Sequence, residues 1–249
     1  MVKIVMSSQK ISVKHKIANK IGDCIKNIRG GYLGRERFLF TYFIYHFLPY
    51  LGYDYPRLIE WKFILSNLPR NKRLKVLDAG CTSSLFIYEL AGRGYETYGI
   101  DTRRYCEALP SRIKFLQSDI INTPFPSEFF DIVILISVIE HIGLGTYQDP
   151  IYNEGDISAV EEIRRILKKG GFLFITTLIG NRYIITSDEP QRIYDKQRLS
   201  GLIKDFEILD ERYYIFRKKW IEVDKDIAFE ESPERFGLAC LLLQNVQGE

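Results

Sequence analysis

Cysteine is scarce and scattered. Cys24, Cys81, Cys106 and Cys240 stand far apart, with no Cys-x-x-Cys pair and no local histidine partner. That spacing supports neither a zinc site nor a disulfide framework, so reduced thiols in a cytoplasmic protein are expected. Histidine is scarcer: of three in the chain, only His141 lies beyond residue 46. A metal centre needs several converging oxygen or nitrogen ligands, so no metal is expected. No N-terminal stretch has the charged, apolar and cleavage-site order of a signal peptide. Residues 38–53 carry no charge and hold eight aromatics besides His46, but Pro49 interrupts them. They fall short of the roughly 20 residues of a spanning helix and read as a buried helix that packs the head onto the domain or lines the substrate pocket. Internal repeats and low-complexity tracts are also absent.

What is present is a globular composition, 46% hydrophobic and 27% charged over 249 residues. That length fits one large α/β domain with an extension. The net charge of +3 conceals an asymmetry, because residues 1–37 hold nine Lys or Arg against Asp23 and Glu36. Within this head Ile11, Ile17, Ile21, Ile25 and Ile28 recur at helical spacing, which predicts a basic amphipathic helix ending near Gly30-Gly31. It reads as a solvated helix on a domain edge, or alternatively as one lying on an anionic membrane or nucleic acid. The resulting division is residues 1–70, a helical extension, and 71–249, the main domain. A third helix of the extension is expected over about 57–68.

From Leu74 onward strands and helices alternate, as a doubly wound, mostly parallel α/β sheet requires. Strands are expected near 74–79, 95–100, 113–117, 130–136 and 171–177, with 130–136 central because it is almost wholly apolar. A helix is expected over about 157–168, capped by Asp156 and ended by Gly170. Another near 195–204 and two long strands, around 206–220 and 236–244, complete the chain.

The chain is organised around Val76-Leu77-Asp78-Ala79-Gly80-Cys81-Thr82-Ser83-Ser84. An apolar strand stops at a glycine, and a helical pattern starts at Leu85 with Ser83 or Ser84 placed as its N-cap. Strand, tight turn and helix N-terminus form the place where open α/β sheets bind nucleotide-like ligands. The Asp78 carboxylate would face the phosphates of a dinucleotide, whereas a phosphate-free ligand with a positive centre could use it.

Val76-Leu-Asp-Ala-Gly-Cys81 resembles the first motif of class I S-adenosylmethionine-dependent methyltransferases. The resemblance continues through Tyr98-Gly-Ile-Asp101, Gln117-Ser-Asp119-Ile120 and Phe130-Asp-Ile-Val-Ile-Leu-Ile-Ser137, and ends at Gly170-Gly-Phe-Leu-Phe-Ile175. It covers roughly residues 70–245 and implies a Rossmann-like, seven-stranded sheet with S-adenosyl-L-methionine as cofactor. The family's usual second and third glycines are Thr82 and Ser84 here. The resemblance implies that Asp78, Gly80, Cys81 and Ser83 form the first cofactor loop. Asp101 would take the ribose hydroxyls, Asp119 and Ile120 the adenine, and Ser137 and Glu140 the rest of the cofactor wall.

His141 follows the fourth strand at the carboxyl end of the sheet, where such folds bind ligands. Its imidazole suits proton abstraction at neutral pH, and a packing role is the alternative. The segment 143–150, Gly-Leu-Gly-Thr-Tyr-Gln-Asp-Pro, resembles that of an uncharacterised subgroup of methyltransferase-like proteins, often found among saccharide biosynthesis functions. Tyr147 and Asp149 could bind acceptor hydroxyls, and Arg192 and Tyr194 occupy a region where family members often contact substrate. The expected activity is O-methylation of a small or saccharide-like acceptor, with nucleic acid not expected and weak peripheral membrane contact through the head a possibility. An NAD-dependent oxidoreductase would want Gly-x-Gly-x-x-Gly after the strand, and the chain offers Gly80-Cys-Thr-Ser-Ser. The remaining alternatives are a catalytically degenerate partner subunit and an RNA methyltransferase.

Overall fold

The computed structural model describes residues 56–246, apart from Ser83, 106–108, Gln148, Asp188 and 232–236. The basic helix and the aromatic run expected in the head lie outside the described residues, as do Ser83 and Cys106. The chain divides into two compact units, 1–53 and 54–249, and the fold below belongs to the second.

Helix α1 (Pro56–Asn67) precedes strand β1 (Lys75–Ala79), helix α2 (Phe86–Arg93), and strands β2 (Glu96–Asp101), β3 (Ile113–Gln117) and β4 (Phe130–Ile136). Helix α3 (Gly155–Ile166) leads into β5 (Leu167–Ile179), a short pair β6 (Ile184–Ile185) and β7 (Arg192–Ile193), and helix α4 (Lys196–Leu202). Strands β8 (Phe206–Arg217) and β9 (Lys219–Val223), helix α5 (Lys225–Glu230) and strand β10 (Gly237–Asn245) finish the unit. The main sheet runs β3-β2-β1-β4-β5-β10-β8-β9. The first five strands are parallel, and β10 inserts antiparallel between β5 and β8.

Apolar strands build the centre. Val76, Leu77, Ile132, Val133, Ile134 and Leu135 are fully buried, because helices cover both faces. Leu77, Val133, Leu135, Leu173 and Ile175 share one core with Val160, Ile163 and Ile166 of α3. On the opposite face Trp61 of α1 meets Phe86 edge-on at 5.1 Å, and Phe63 meets Phe174 at 6.4 Å. β4 sits between β1 and β5, in the central place its continuous apolar character requires.

Three local expectations need correction. The sheet has eight strands rather than seven, because the stretch expected as one strand over 206–220 turns back at Lys218, whose φ is 61°, and adds β9 at the edge. Asp156 does not cap α3: its side chain is fully buried against two arginines. Gly170 does not end that helix either, since the chain enters β5 directly at Leu167 and Gly170 (φ 73°) lies within the strand.

Candidate functional site

The carboxyl ends of β1, β2 and β4 open into a cavity of about 280 Å³. Gly80, Asp101, Asp119, Ile120, Ser137, Glu140, His141, Tyr147 and Asp149 all line it. The expected residues of five separate segments thus converge on one space.

The turn after β1 is built as its sequence requires. Gly80 has φ 73°, and a Cβ there would lie 2.5 Å from Val138 Cγ2, so only glycine fits. Its N–H and that of Cys81 donate to the Ile100 carbonyl, at 2.8 and 3.4 Å. The N-cap position of α2 falls to Leu85 rather than to a serine, and Ser84, one residue earlier, accepts the Phe86 N–H on Oγ at 3.0 Å. Asp78 lies behind this turn, 1% exposed, and neither carboxylate oxygen has a hydrogen-bond partner. Burial pushes its pKa well up against the lowering charge of Arg57, and the Ile87 amide lies near it without reaching hydrogen-bond geometry.

Cys81 departs from expectation. Its thiol faces away from the cavity into a cluster with Ile87, Ala91 and Ile113, in the space that the missing side chain of Gly99 leaves. Burial raises its pKa well above the usual thiol value, so it is a packing residue.

Asp101 is saturated with donors. Oδ1 accepts the Arg103 N–H at 2.9 Å and Nε at 3.0 Å, while Oδ2 accepts Thr82 N–H at 3.0 Å, Thr82 Oγ1 at 2.6 Å and Arg103 Nη2 at 3.1 Å. Burial raises its pKa, but these bonds outweigh burial and hold it below the usual value. Thr82 therefore uses both its amide and its side chain to hold Asp101. At the next strand end Asp119 accepts the Ile121 N–H at 3.1 Å, and burial raises its pKa.

β4 is followed by Ser137, a non-glycine residue with φ 50°. Its N–H donates to Thr176 O and Oγ1, at 3.1 and 3.0 Å, and its hydroxyl donates to Glu60 of α1. Glu60 is fully buried and also accepts Thr176 Oγ1 at 2.6 Å and pairs with Arg57 at 3.1 Å. Arg57 Nη1 donates to the Ile136 carbonyl at 2.8 Å and lines the cavity. Glu140 accepts Thr177 Oγ1 at 3.2 Å, and burial pushes its pKa up to about 8, so it is mainly a neutral acid at pH 7.

His141 Nδ1 lies 3.3 Å from the Pro190 carbonyl. A carbonyl can only accept, so Nδ1 carries the proton and Nε2 keeps its lone pair. Burial lowers the pKa despite that bond, which keeps the ring neutral and able to take a proton. Tyr147 meets His141 edge-on at 5.1 Å and stacks over Arg103, whose guanidinium carbon is 4.7 Å from the ring centre. Asp149 spends its oxygens on the Gly143 and Tyr147 amides, at 2.7 and 3.0 Å, so it shapes the loop that presents Tyr147.

Arg192 and Tyr194, read from sequence as substrate contacts, do not reach the cavity. Both are fully buried. Tyr194 Oη donates to the Ile139 carbonyl at 3.2 Å, the Arg192 amide to the Glu140 carbonyl at 2.8 Å, and Arg192 Nη1 to the Ile142 carbonyl at 2.6 Å. They brace the segment that carries Glu140 and His141. Asp156 anchors them, with Arg192 Nε at 3.5 Å and both its oxygens on Arg198 Nη2 at 3.0 and 3.1 Å. Sequence reading also missed Arg57, Glu60 and Arg103. Glu60 left one signal, a lone carboxylate between Ile59 and Trp61 in an otherwise apolar turn. Among the described residues no cluster of His, Cys, Asp and Glu is placed to hold a metal ion.

Sheet order, motif placement and cavity together define a Rossmann-like methyltransferase fold. A solved S-adenosylmethionine-dependent methyltransferase of Methanosarcina mazei matches with a TM-score of 0.54 and 16% identity over 74% of this chain and 98% of that one. The [4+2]-cyclase SpnF matches with a TM-score of 0.56 and 18% identity, over 79% and 84%. The model of the family described as "Caenorhabditis protein of unknown function, DUF268" matches residues 117–232. An uncharacterised protein of Methanocaldococcus jannaschii is 27% identical over 150 residues, 60% of each chain. A tRNA U34 carboxymethyltransferase of Hydrogenovibrio crunogenus is 26% identical over 57% of this chain and 42% of its own. The chain thus spans 60% or less of the length of these curated relatives.

Proposed function

We propose that the protein is an S-adenosylmethionine-dependent methyltransferase that methylates a hydroxyl of a small or saccharide-like acceptor. The observation that carries this reading is a neutral His141 at the cavity wall, whose Nε2 keeps its lone pair, with the buried and unpartnered Asp78 carboxylate behind the Gly80 turn that lines the same cavity. The residues fit the cofactor. Gly80 gives close backbone approach, Asp101 and Asp119 close adjacent strands, and Ile120 offers an apolar wall. A cationic ligand would stabilise the ionised form of Asp78, which burial otherwise disfavours.

When bound, S-adenosylmethionine supplies a methyl group on a positively charged sulfur, open to attack by an oxygen nucleophile. His141 Nε2 would accept the acceptor's hydroxyl proton as that oxygen attacks. Glu140, as a neutral acid, and Tyr147 are donors able to orient the acceptor. Positioning in a closed site supplies much of the acceleration.

The test is transfer of radiolabelled methyl to a panel of sugars, uronic acids and simple phenols. With simple amines and amino sugars added as controls, label is expected on a hydroxyl acceptor, and label only on the amino compounds would overturn the oxygen reading. A second reading, a non-methylating member of the fold, draws support from Asp101, whose lone pairs are all engaged, and from the cyclase among the structural neighbours.

A further inference from the structure

Asp101 and Arg103 carry an inference that rests on the cofactor reading above. A carboxylate offers about four lone-pair positions, and Asp101 already meets five donors from Thr82 and Arg103. Ribose hydroxyls cannot be added to that set. Two of the donors, Arg103 Nε on Oδ1 and Nη2 on Oδ2, form a parallel fork from one flexible side chain that is 27% exposed. The other three come from two backbone amides and a short, packed threonine. If the guanidinium leaves, each oxygen gives up one donor, and the two O–H donors of a vicinal diol would take their places one for one.

The far side of that guanidinium is not idle. It lies under the ring of Tyr147, and Tyr147 in turn borders His141. Tyr147 is tied to the same strand end a second time, through Thr102 Oγ1 donating to its carbonyl at 3.0 Å. The loop that holds it is a small hairpin in which Leu144 bridges Ile151, and Tyr152 N–H reaches the Gly143 carbonyl at 2.8 Å. One side chain therefore links the expected ribose carboxylate to the loop beside the base.

We propose that Arg103 is an internal stand-in for the cofactor's ribose diol: the cofactor binds by displacing it from Asp101, and its departure releases Tyr147 from the cation that fixes it beside His141. Cofactor would then bind before acceptor, since the acceptor loop is freed only once the diol is seated. Arg103 is a positioning residue here, and the engaged state of Asp101 reflects a resting site rather than a degenerate one.

The experiment is calorimetry of the full chain with S-adenosylhomocysteine. An ordinary pocket cation would weaken binding when removed. An internal competitor does the opposite, so Arg103→Ala is expected to bind about fivefold tighter than wild type. Asp101→Asn, with a poorer acceptor, should bind more weakly than both. Should Arg103→Ala misfold, Tyr147→Ala, which removes only the ring over the guanidinium, is expected to tighten binding in the same direction. Hydrogen exchange gives a second readout. Residues 143–152 of ligand-free Arg103→Ala should exchange as those of wild type do with ligand bound. Equal or weaker binding by Arg103→Ala, with wild type binding normally, overturns the displacement model alone. Failure of wild type and Arg103→Ala alike to bind overturns the cofactor reading and this model with it.

Discussion

Two of the arginine–carboxylate assemblies at the carboxyl end of the sheet behave as opposites. Asp101 and Arg103 face the cavity, and the guanidinium is partly exposed and stacked on one aromatic ring. Asp156, Arg192 and Arg198 lie behind the cavity, with Asp156 and Arg192 at 0% exposure. Arg192 also keeps Nε and Nη2 without hydrogen-bond partners. A buried pair of this kind cannot exchange its partner for a ligand, because losing either member strands a charge in the interior. A pair at the cavity wall can, since water or ligand donors replace what leaves. The inner assembly is framework and the outer one is exchangeable.

The largest expected effect breaks the framework. Asp156→Ala should cost roughly 3–5 kcal/mol of stability by leaving the fully buried Arg192 without a carboxylate, seen as a large fall in the midpoint of thermal unfolding. A small fall would mean that Arg192 relaxes to solvent and that the contrast is overdrawn. Next comes His141, which that framework braces. His141→Ala is expected to lower turnover by about 10²–10⁴-fold on the best acceptor. Because burial lowers the His141 pKa, the wild-type rate should hold until the pH drops below the usual histidine value near 6.5. A packing role predicts lost thermal stability with an unchanged pH profile instead.

Glu140 gives a smaller, pH-dependent effect. Its folded pKa of about 8 lies above the ordinary carboxylate value, so the folded state holds an extra proton between the two. Stability from this group is full in acid and falls as the pH rises through about 8. Glu140→Gln should therefore unfold at a higher temperature than wild type at pH 8–9, and the gap should close toward pH 5. An equal gap at both would rule out a neutral buried Glu140. The smallest effect is the counterpart of the first: Arg103→Ala should change stability by about 1 kcal/mol or less, and a loss like that of Asp156→Ala would make the outer pair framework too.

This contrast was only half legible in the sequence. The strand series, the placement of Asp101, Asp119 and His141 at strand ends, and the Gly80 turn followed from apolar runs and motif spacing. Arg192 and Tyr194 sat in a plausible position for substrate contact, yet spacing along a chain does not reveal which face of a two-residue strand is buried. Arg103 looked like any charge in a loop until its donors met Asp101. Glu60 belongs to a helix assigned to the extension, and its reach to Ser137 and Thr176 depends on how that helix crosses the sheet.

The central claim, that this cavity receives S-adenosylmethionine, is tested most directly by titrating the purified chain with that compound in a calorimeter, beside NAD. One-to-one binding of S-adenosylmethionine with no response to NAD is expected, and binding of NAD alone would contradict the account.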